Sequence, residues 1–142
     1  MGRKLLLIPD VTANCRLVKA IFANEGVEVL MAHDGPSGIA VAETSAPEVV
    51  LLDIDLPGLD GFQVLERLKA SAPLLPVVML TASLEIKSAV RATQLGAFDY
   101  VTKPFEHDEF LVVVRRALET GALRQEVQDL RARVGDEAEA MG

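Results

Sequence analysis

The chain has 142 residues and a formal net charge of -7 at pH 7, and 50% of its residues are hydrophobic. This length suits one domain and a tail, and the acidic balance argues against direct contact with nucleic acid, which requires clustered lysine and arginine. A lone cysteine, the lack of a signal-peptide pattern and the lack of a membrane-spanning apolar run predict a cytoplasmic protein without membrane contact.

Strand-like and helix-like segments alternate five times along the chain. Short apolar runs predict strands, and apolar residues on one face predict helices, as Leu17, Val18, Ile21 and Phe22 do in the first helix. The predicted strands are 4–8, 27–32, 48–53, 76–81 and 98–102, and the predicted helices are 14–25, 36–44, 62–70, 85–95 and 106–118. Five such β-α units indicate a doubly wound α/β fold, in which a parallel sheet carries helices on both faces.

Polar side chains close four of the predicted strands. Asp10 follows the first strand, Asp53 ends the third, Thr81 ends the fourth and Lys103 follows the fifth. Open parallel sheets place their ligand sites at the carboxyl ends of the strands, so these residues are expected at one edge. Two acids, a hydroxyl and a lysine suggest a metal-assisted phosphoryl site. Taken singly, Asp53 could instead cap a turn, and Asp10 could cap the first helix.

The chain resembles the receiver domain of two-component response regulators over residues 4 to 120. The resemblance rests on Asp10 after the first strand, LLDIDLPGLDG around Asp53, MLTA with Thr81, and GAFDYVTKPF with Lys103. It implies a five-stranded flavodoxin-like sheet in the order 2-1-3-4-5. It also implies a receiver domain over residues 1–120, followed by residues 121–142 as a helical linker or a short coiled-coil stem.

The same resemblance assigns the phosphoryl chemistry. Asp53 would accept a phosphoryl group from a histidine kinase or a phosphotransfer protein. Mg²⁺ would be held by the carboxylates of Asp10 and Asp53 and by the backbone carbonyl of Asp55, an oxygen set that suits this cation. Lys103 would neutralise a phosphoryl oxygen. The protein would then be a bacterial phosphoacceptor switch that catalyses only its own phosphorylation and dephosphorylation, not an enzyme acting on other substrates.

Two further residues are expected to transmit the change. Thr81 and the backbone N–H of Ala82 would donate hydrogen bonds to the phosphoryl group, and Tyr100 would turn into the space that Thr81 leaves. The surface of the fourth helix, fifth strand and fifth helix would change for a downstream output domain or target protein. Asp55 and Ser83 would tune the loss of the phosphoryl group. For Tyr100, simple core packing is the alternative interpretation.

The C-terminal segment has a coiled-coil pattern. Leu123, Val127, Leu130 and Val134 are spaced four, three and four residues apart, as in an a/d seam of a two-stranded coiled coil. The seam spans less than two heptads and is marginal by itself. A homodimer stem and a solvated helical linker are therefore both open interpretations.

Pro9 departs from the receiver pattern, which usually has two adjacent acids at the end of the first strand. This chain has Pro9-Asp10 instead, so the pocket loses one negative charge. One alternative is therefore a receiver-like binding or dimerisation module that works without phosphorylation. A remote alternative is a haloacid-dehalogenase-type phosphatase, with Asp53 as nucleophile and Asp55 as general acid.

We expect weaker Mg²⁺ binding than in a variant with the second acid restored, with phosphorylation retained. Pro9→Asp returns one negative charge near the cation and should therefore tighten Mg²⁺ binding. Isothermal titration of both proteins with Mg²⁺ measures the difference. Equal affinities for the native chain and for Pro9→Asp would contradict this prediction.

Overall fold

The computed structural model describes residues 3–8, 13–23, 25–54, 60–81, 86–102 and 107–141. The strands are β1 (Arg3–Ile8), β2 (Val27–Met31), β3 (Val49–Asp53), β4 (Val77–Thr81) and β5 (Asp99–Thr102). The helices are α1 (Ala13–Phe22), α2 (Gly35–Ser45), α3 (Gly61–Ser71), α4 (Ile86–Gln94) and α5 (His107–Met141). The predicted alternation is confirmed, and only the end of α5 lies more than three residues from its predicted position.

The strands form one parallel sheet in the order β2-β1-β3-β4-β5. This confirms the predicted doubly wound, flavodoxin-like topology. All five residues of β3 and all five of β4 are buried, because helices cover the sheet on both faces. The order places β3 at the centre of the sheet, between β1 and β4.

Each face of the sheet has its own apolar core. On one face, α1 and α5 pack over the strands, and their rings Phe22 and Phe110 meet edge to face with centroids 6.0 Å apart. On the other face, α2, α3 and α4 pack over the alternate residues of the same strands. No helix in the described ranges is long and apolar enough to cross a membrane.

The fifth helix does not end at Leu118, as predicted, but continues to Met141. Gly121 lies inside it, where α5 crosses the beginnings of β3 and β4. A Cβ atom at this position would lie 3.1 Å from Cγ of Pro76 and 3.2 Å from the carbonyl oxygen of Glu48. The glycine therefore permits a close approach instead of ending the helix, at a cost of roughly 1 kcal/mol relative to alanine.

Candidate functional site

The strand register brings two of the predicted site residues to one edge of the sheet. Asp53, the last residue of β3, pairs with Leu80 of β4, and Thr81, the last residue of β4, pairs with Thr102 of β5. Asp53 and Thr81 thus lie at the carboxyl ends of neighbouring strands, where the sequence predicted a polar site.

Asp53 is a buried carboxylate in an otherwise apolar strand. Its exposed fraction is 2%, and Thr81 is equally buried. Burial of a carboxylate is costly unless hydrogen bonds compensate for the lost water. Among the residues that the structure describes, every buried side-chain nitrogen or oxygen has a hydrogen-bond partner. The carboxyl ends of β3 and β4 therefore carry two buried polar side chains, both with hydrogen-bond partners, at the boundary of the core.

Tyr100 lies on the same face of the sheet as Thr81. It pairs with Met79, which precedes Thr81 by two residues in β4, so strand alternation gives all three side chains one face. Tyr100 is half-buried and packs against the α2–α4 core. The arrangement is compatible both with core packing and with a ring that responds to a change at Thr81.

Ile54, the residue after Asp53, is hydrogen-bonded both to β4 and to the start of α3. The N–H of Ile54 donates to the Leu80 carbonyl, and the N–H of Gly61 donates to the Ile54 carbonyl, both at 3.0 Å. A Cβ atom on Gly61 would lie 2.6 Å from Cα of Ile54 and 2.7 Å from the carbonyl oxygen of Asp53. These are backbone atoms that cannot give way like a flexible side chain, so only glycine fits at this position.

A capping box reinforces the same helix start. The Asp60 carboxylate accepts from the N–H of Gln63 at 2.9 Å, and the N–H of Asp60 donates to the Gln63 side chain at 3.2 Å. This cap is not among the features predicted from the sequence. The Asp60 and Gln63 spacing of three residues was the available signal for the cap.

Two ionisable groups outside the core have shifted pKa values. The backbone N–H of Ser37 lowers the pKa of Asp34, the N-cap of α2, because it bonds the ionised carboxylate. Burial lowers the pKa of Lys69, and the nearby Arg124 charge adds to this effect. Lys69 Nζ donates to the carbonyls of Pro73 and Leu75 at 2.7 and 2.9 Å, which fixes the turn between α3 and β4.

The other predicted site residues lie outside the described residues: Asp10, Asp55, Ala82, Ser83 and Lys103. Pro9 lies outside them as well. Within the described part of the chain, no three His, Cys, Asp or Glu side chains come together as a metal site. The buried Asp53 carboxylate, with the acid and carbonyl oxygens predicted beside it, makes an all-oxygen donor set. Such a set fits Mg²⁺.

The fold and this edge define a flavodoxin-like α/β protein with a polar site at the carboxyl ends of its central strands. The chain matches the response regulator receiver domain over residues 5–115, and it belongs to this family. The resemblance inferred from the sequence is thereby confirmed.

Individual relatives agree with the family assignment. The chain is similar to the regulatory protein AtoC of Escherichia coli (strain K12), at 35% identity over 89% of this chain and 28% of AtoC. It is also similar to the nitrogen assimilation regulatory protein NtrX of Azorhizobium caulinodans, at 37% identity over 92% of this chain and 29% of NtrX. The chain therefore spans less than a third of the length of these two curated relatives.

A solved structure of similar size is the receiver domain of NtrX from Brucella abortus. It superposes with a TM-score of 0.77 at 41% sequence identity, over 82% of this chain and 98% of that one. This likeness extends over nearly the whole of an isolated receiver domain.

Gly61→Ala is expected to lower the free energy of unfolding by about 1–3 kcal/mol, because the added methyl group overlaps backbone atoms of Asp53 and Ile54. The start of α3 must then shift. Urea denaturation of the native chain and of Gly61→Ala measures the effect.

Gly121→Ala is the matched control. Its methyl group meets the Pro76 ring and the Glu48 carbonyl at 3.1–3.2 Å, and the gain in helix propensity offsets part of that crowding. Its effect on stability should be smaller. Native stability in Gly61→Ala would show that the close approach has no energetic role.

Proposed function

We propose that the chain is a phosphoacceptor switch that takes a phosphoryl group on Asp53. The observation that carries this proposal is the burial of the Asp53 carboxylate at the carboxyl end of the central strand, in a chain of the receiver family; Thr81 ends the neighbouring strand. A buried carboxylate at such a strand end is a candidate for phosphoryl chemistry.

The transfer itself needs a nucleophile, a donor and charge neutralisation. An oxygen of Asp53 would attack the phosphorus of a phosphohistidine, and the P–N bond would break as its electron pair stays on the departing imidazole nitrogen. An acyl phosphate forms, and the site gains a charge of about -1.5 to -2. Lys103 would neutralise one phosphoryl oxygen, and the Thr81 hydroxyl and Ala82 N–H would donate hydrogen bonds to the others.

Mg²⁺ is the metal that this donor chemistry suits. Asp10, Asp53 and the backbone carbonyl of Asp55 would hold it. When bound, it neutralises the negative charge that builds up as two anionic groups approach each other.

The readout would be a change in packing around Thr81 and Tyr100. Thr81 would move toward the new charge, and Tyr100, on the same face of the sheet, would turn inward and re-shape the α4, β5 and α5 surface. Asp55 and Ser83 would tune how fast water removes the phosphoryl group. The chain would thus catalyse only its own phosphorylation and dephosphorylation.

The partners follow from this role. A histidine kinase or phosphotransfer protein in a bacterial cytoplasm would supply the phosphoryl group. An output domain or a separate target protein would read the switched surface. The Pro9 substitution keeps the phosphorylation-independent module as the second candidate. The family assignment gives no support to the phosphatase alternative.

The C-terminal part of α5 would serve as a connection beyond the receiver domain. We place the boundary near residue 120, with residues 121–142 as a stem or linker. The apolar stripe of this segment stays exposed within the described chain: the exposed fractions are 60% for Leu123, 45% for Val127 and 51% for Leu130. In a parallel pair of stems, Glu126 of one copy would face Arg131 of the other, which favours a homodimer.

One prediction of the proposed function concerns the phosphorylation of Asp53. Incubation with acetyl phosphate should add one phosphoryl group to the native chain when Mg²⁺ is present, and none to Asp53→Asn, which lacks the nucleophilic oxygen. Intact mass spectrometry measures the gain. Asp60→Asn is the matched control, because it removes a nearby exposed carboxylate and keeps an N-cap side chain.

Tyr100 provides a readout of the switch in the same experiment. It is the only tyrosine, and the chain has no tryptophan, so its fluorescence reports one site. Thr81→Ala should keep the mass gain and lose most of the fluorescence change. If the native chain gains no mass even at high Mg²⁺, the phosphorylation-independent module becomes the better account.

Another prediction concerns the proposed stem, residues 121–142. If the stripe is a dimer seam, sedimentation equilibrium should show association that rises with concentration, and Leu130→Gln should weaken it by leaving a polar group in the seam. Ala132→Gln, a change at an exposed position of the same helix, should leave it intact. A native chain that stays monomeric across the whole series would make the segment a linker.

A further inference from the structure

The fourth helix is thinly attached to the body of the domain. Ala92 is its only fully buried residue, and its larger apolar side chains Ile86 and Val90 are 80% and 49% exposed. An alanine buries little apolar surface, so core packing alone holds α4 weakly. Individual side-chain contacts therefore decide how firmly this helix is placed.

Two contacts join α4 and its C-terminal turn to α3. The guanidinium carbon of Arg91 lies 4.4 Å from the centroid of the Phe62 ring, which is a cation–π geometry. At the other end, Gly96, with φ of +95°, lies beside Lys69: a Cβ there would be 3.3 Å from the lysine Cε. Phe62 and Lys69 are seven residues apart, about 10 Å along α3.

Phe62 is the second residue of α3 and lies next to backbone that is bonded to the residue after Asp53. Phe62 follows Gly61, whose backbone is bonded to Ile54 and packed against the carbonyl of Asp53. The ring is 7% exposed and packs in the core beneath α2, α3 and α4. Arg91 therefore meets a ring whose position is set by the backbone next to the acceptor.

We propose that the Arg91–Phe62 contact is a latch that holds α4 against the start of α3, with Arg91 as a positioning residue that couples α4 to Asp53. The coupling half rests on the proposed function. A shift of Ile54, the residue after Asp53, would move the hydrogen-bonded Gly61 and with it the Phe62 ring, so the hold on α4 would change. Because coupling between two sites is reciprocal, the position of α4 also biases the state of Asp53.

Hydrogen exchange of the α4 amides in the unmodified full chain tests the latch. Arg91→Ala and Phe62→Leu should each raise the α4 exchange rate by about two- to fivefold, the loss expected for one cation–π contact at an exposed site. Arg91→Lys keeps a cation and Phe62→Tyr keeps a ring, so both should stay close to the native rate.

Lys87→Ala is the matched control, because it removes an exposed cation from the same helix. Its α4 exchange should be native, and exchange in β3 and β4 should be unchanged in the Arg91 and Lys87 variants. Native α4 exchange in Arg91→Ala would overturn the latch. So would an equal increase in Lys87→Ala, which would indicate a general effect of charge on the helix.

A second measurement tests the coupling. After acetyl phosphate and Mg²⁺ treatment, with the mass gain verified, the α4 exchange rate should change in the native chain, and most of that change should be lost in Arg91→Ala. An undiminished response in phosphorylated Arg91→Ala would overturn the coupling. Absence of any mass gain would overturn it together with the proposed function, and the latch would then be judged by exchange in the unmodified chain.

Discussion

The structure depends on the burial of its central strands from both sides. The first four residues of β3 are fully buried, and a charged side chain could not lie among them without losing its water. The carboxylate of Asp53 is accommodated because it stands at the last position, where the strand leaves the core. The same constraint places Thr81 at the end of β4. Two-sided burial thus favours polar side chains at the last positions of β3 and β4 over positions within these strands.

Different contacts hold the structure at the two ends of the parallel strands. At the end where β4 begins, Lys69 holds the carbonyls of Pro73 and Leu75, and partial burial, together with the nearby Arg124 charge, lowers its pKa. At the opposite end, backbone bonds through Ile54 and Gly61 hold the start of α3, and the exposed Arg91 contributes the contact to α4.

Much of the fold could be predicted from the sequence, because apolar runs of strand length and one-sided apolar helices leave few other arrangements. The end of α5 at Leu118 was predicted wrongly, since the fifth helix and the predicted helical segment 121–142 form one continuous helix across Gly121. The Arg91–Phe62 contact could not be predicted, because the two residues are far apart in sequence and form no motif. Burial of Asp53 followed from its position after an apolar run. The roles of the site residues came from the family resemblance, and those outside the described chain stay predictions.

The unbroken length of α5 has a mechanical consequence. A helix rises about 1.5 Å per residue, so the part beyond Gly121 is roughly 30 Å long. A tilt of about 5° where α5 lies on the sheet would carry the far end of a straight helix of this length through about 2.6 Å. The displacement that such a tilt produces grows in proportion to the distance from Gly121.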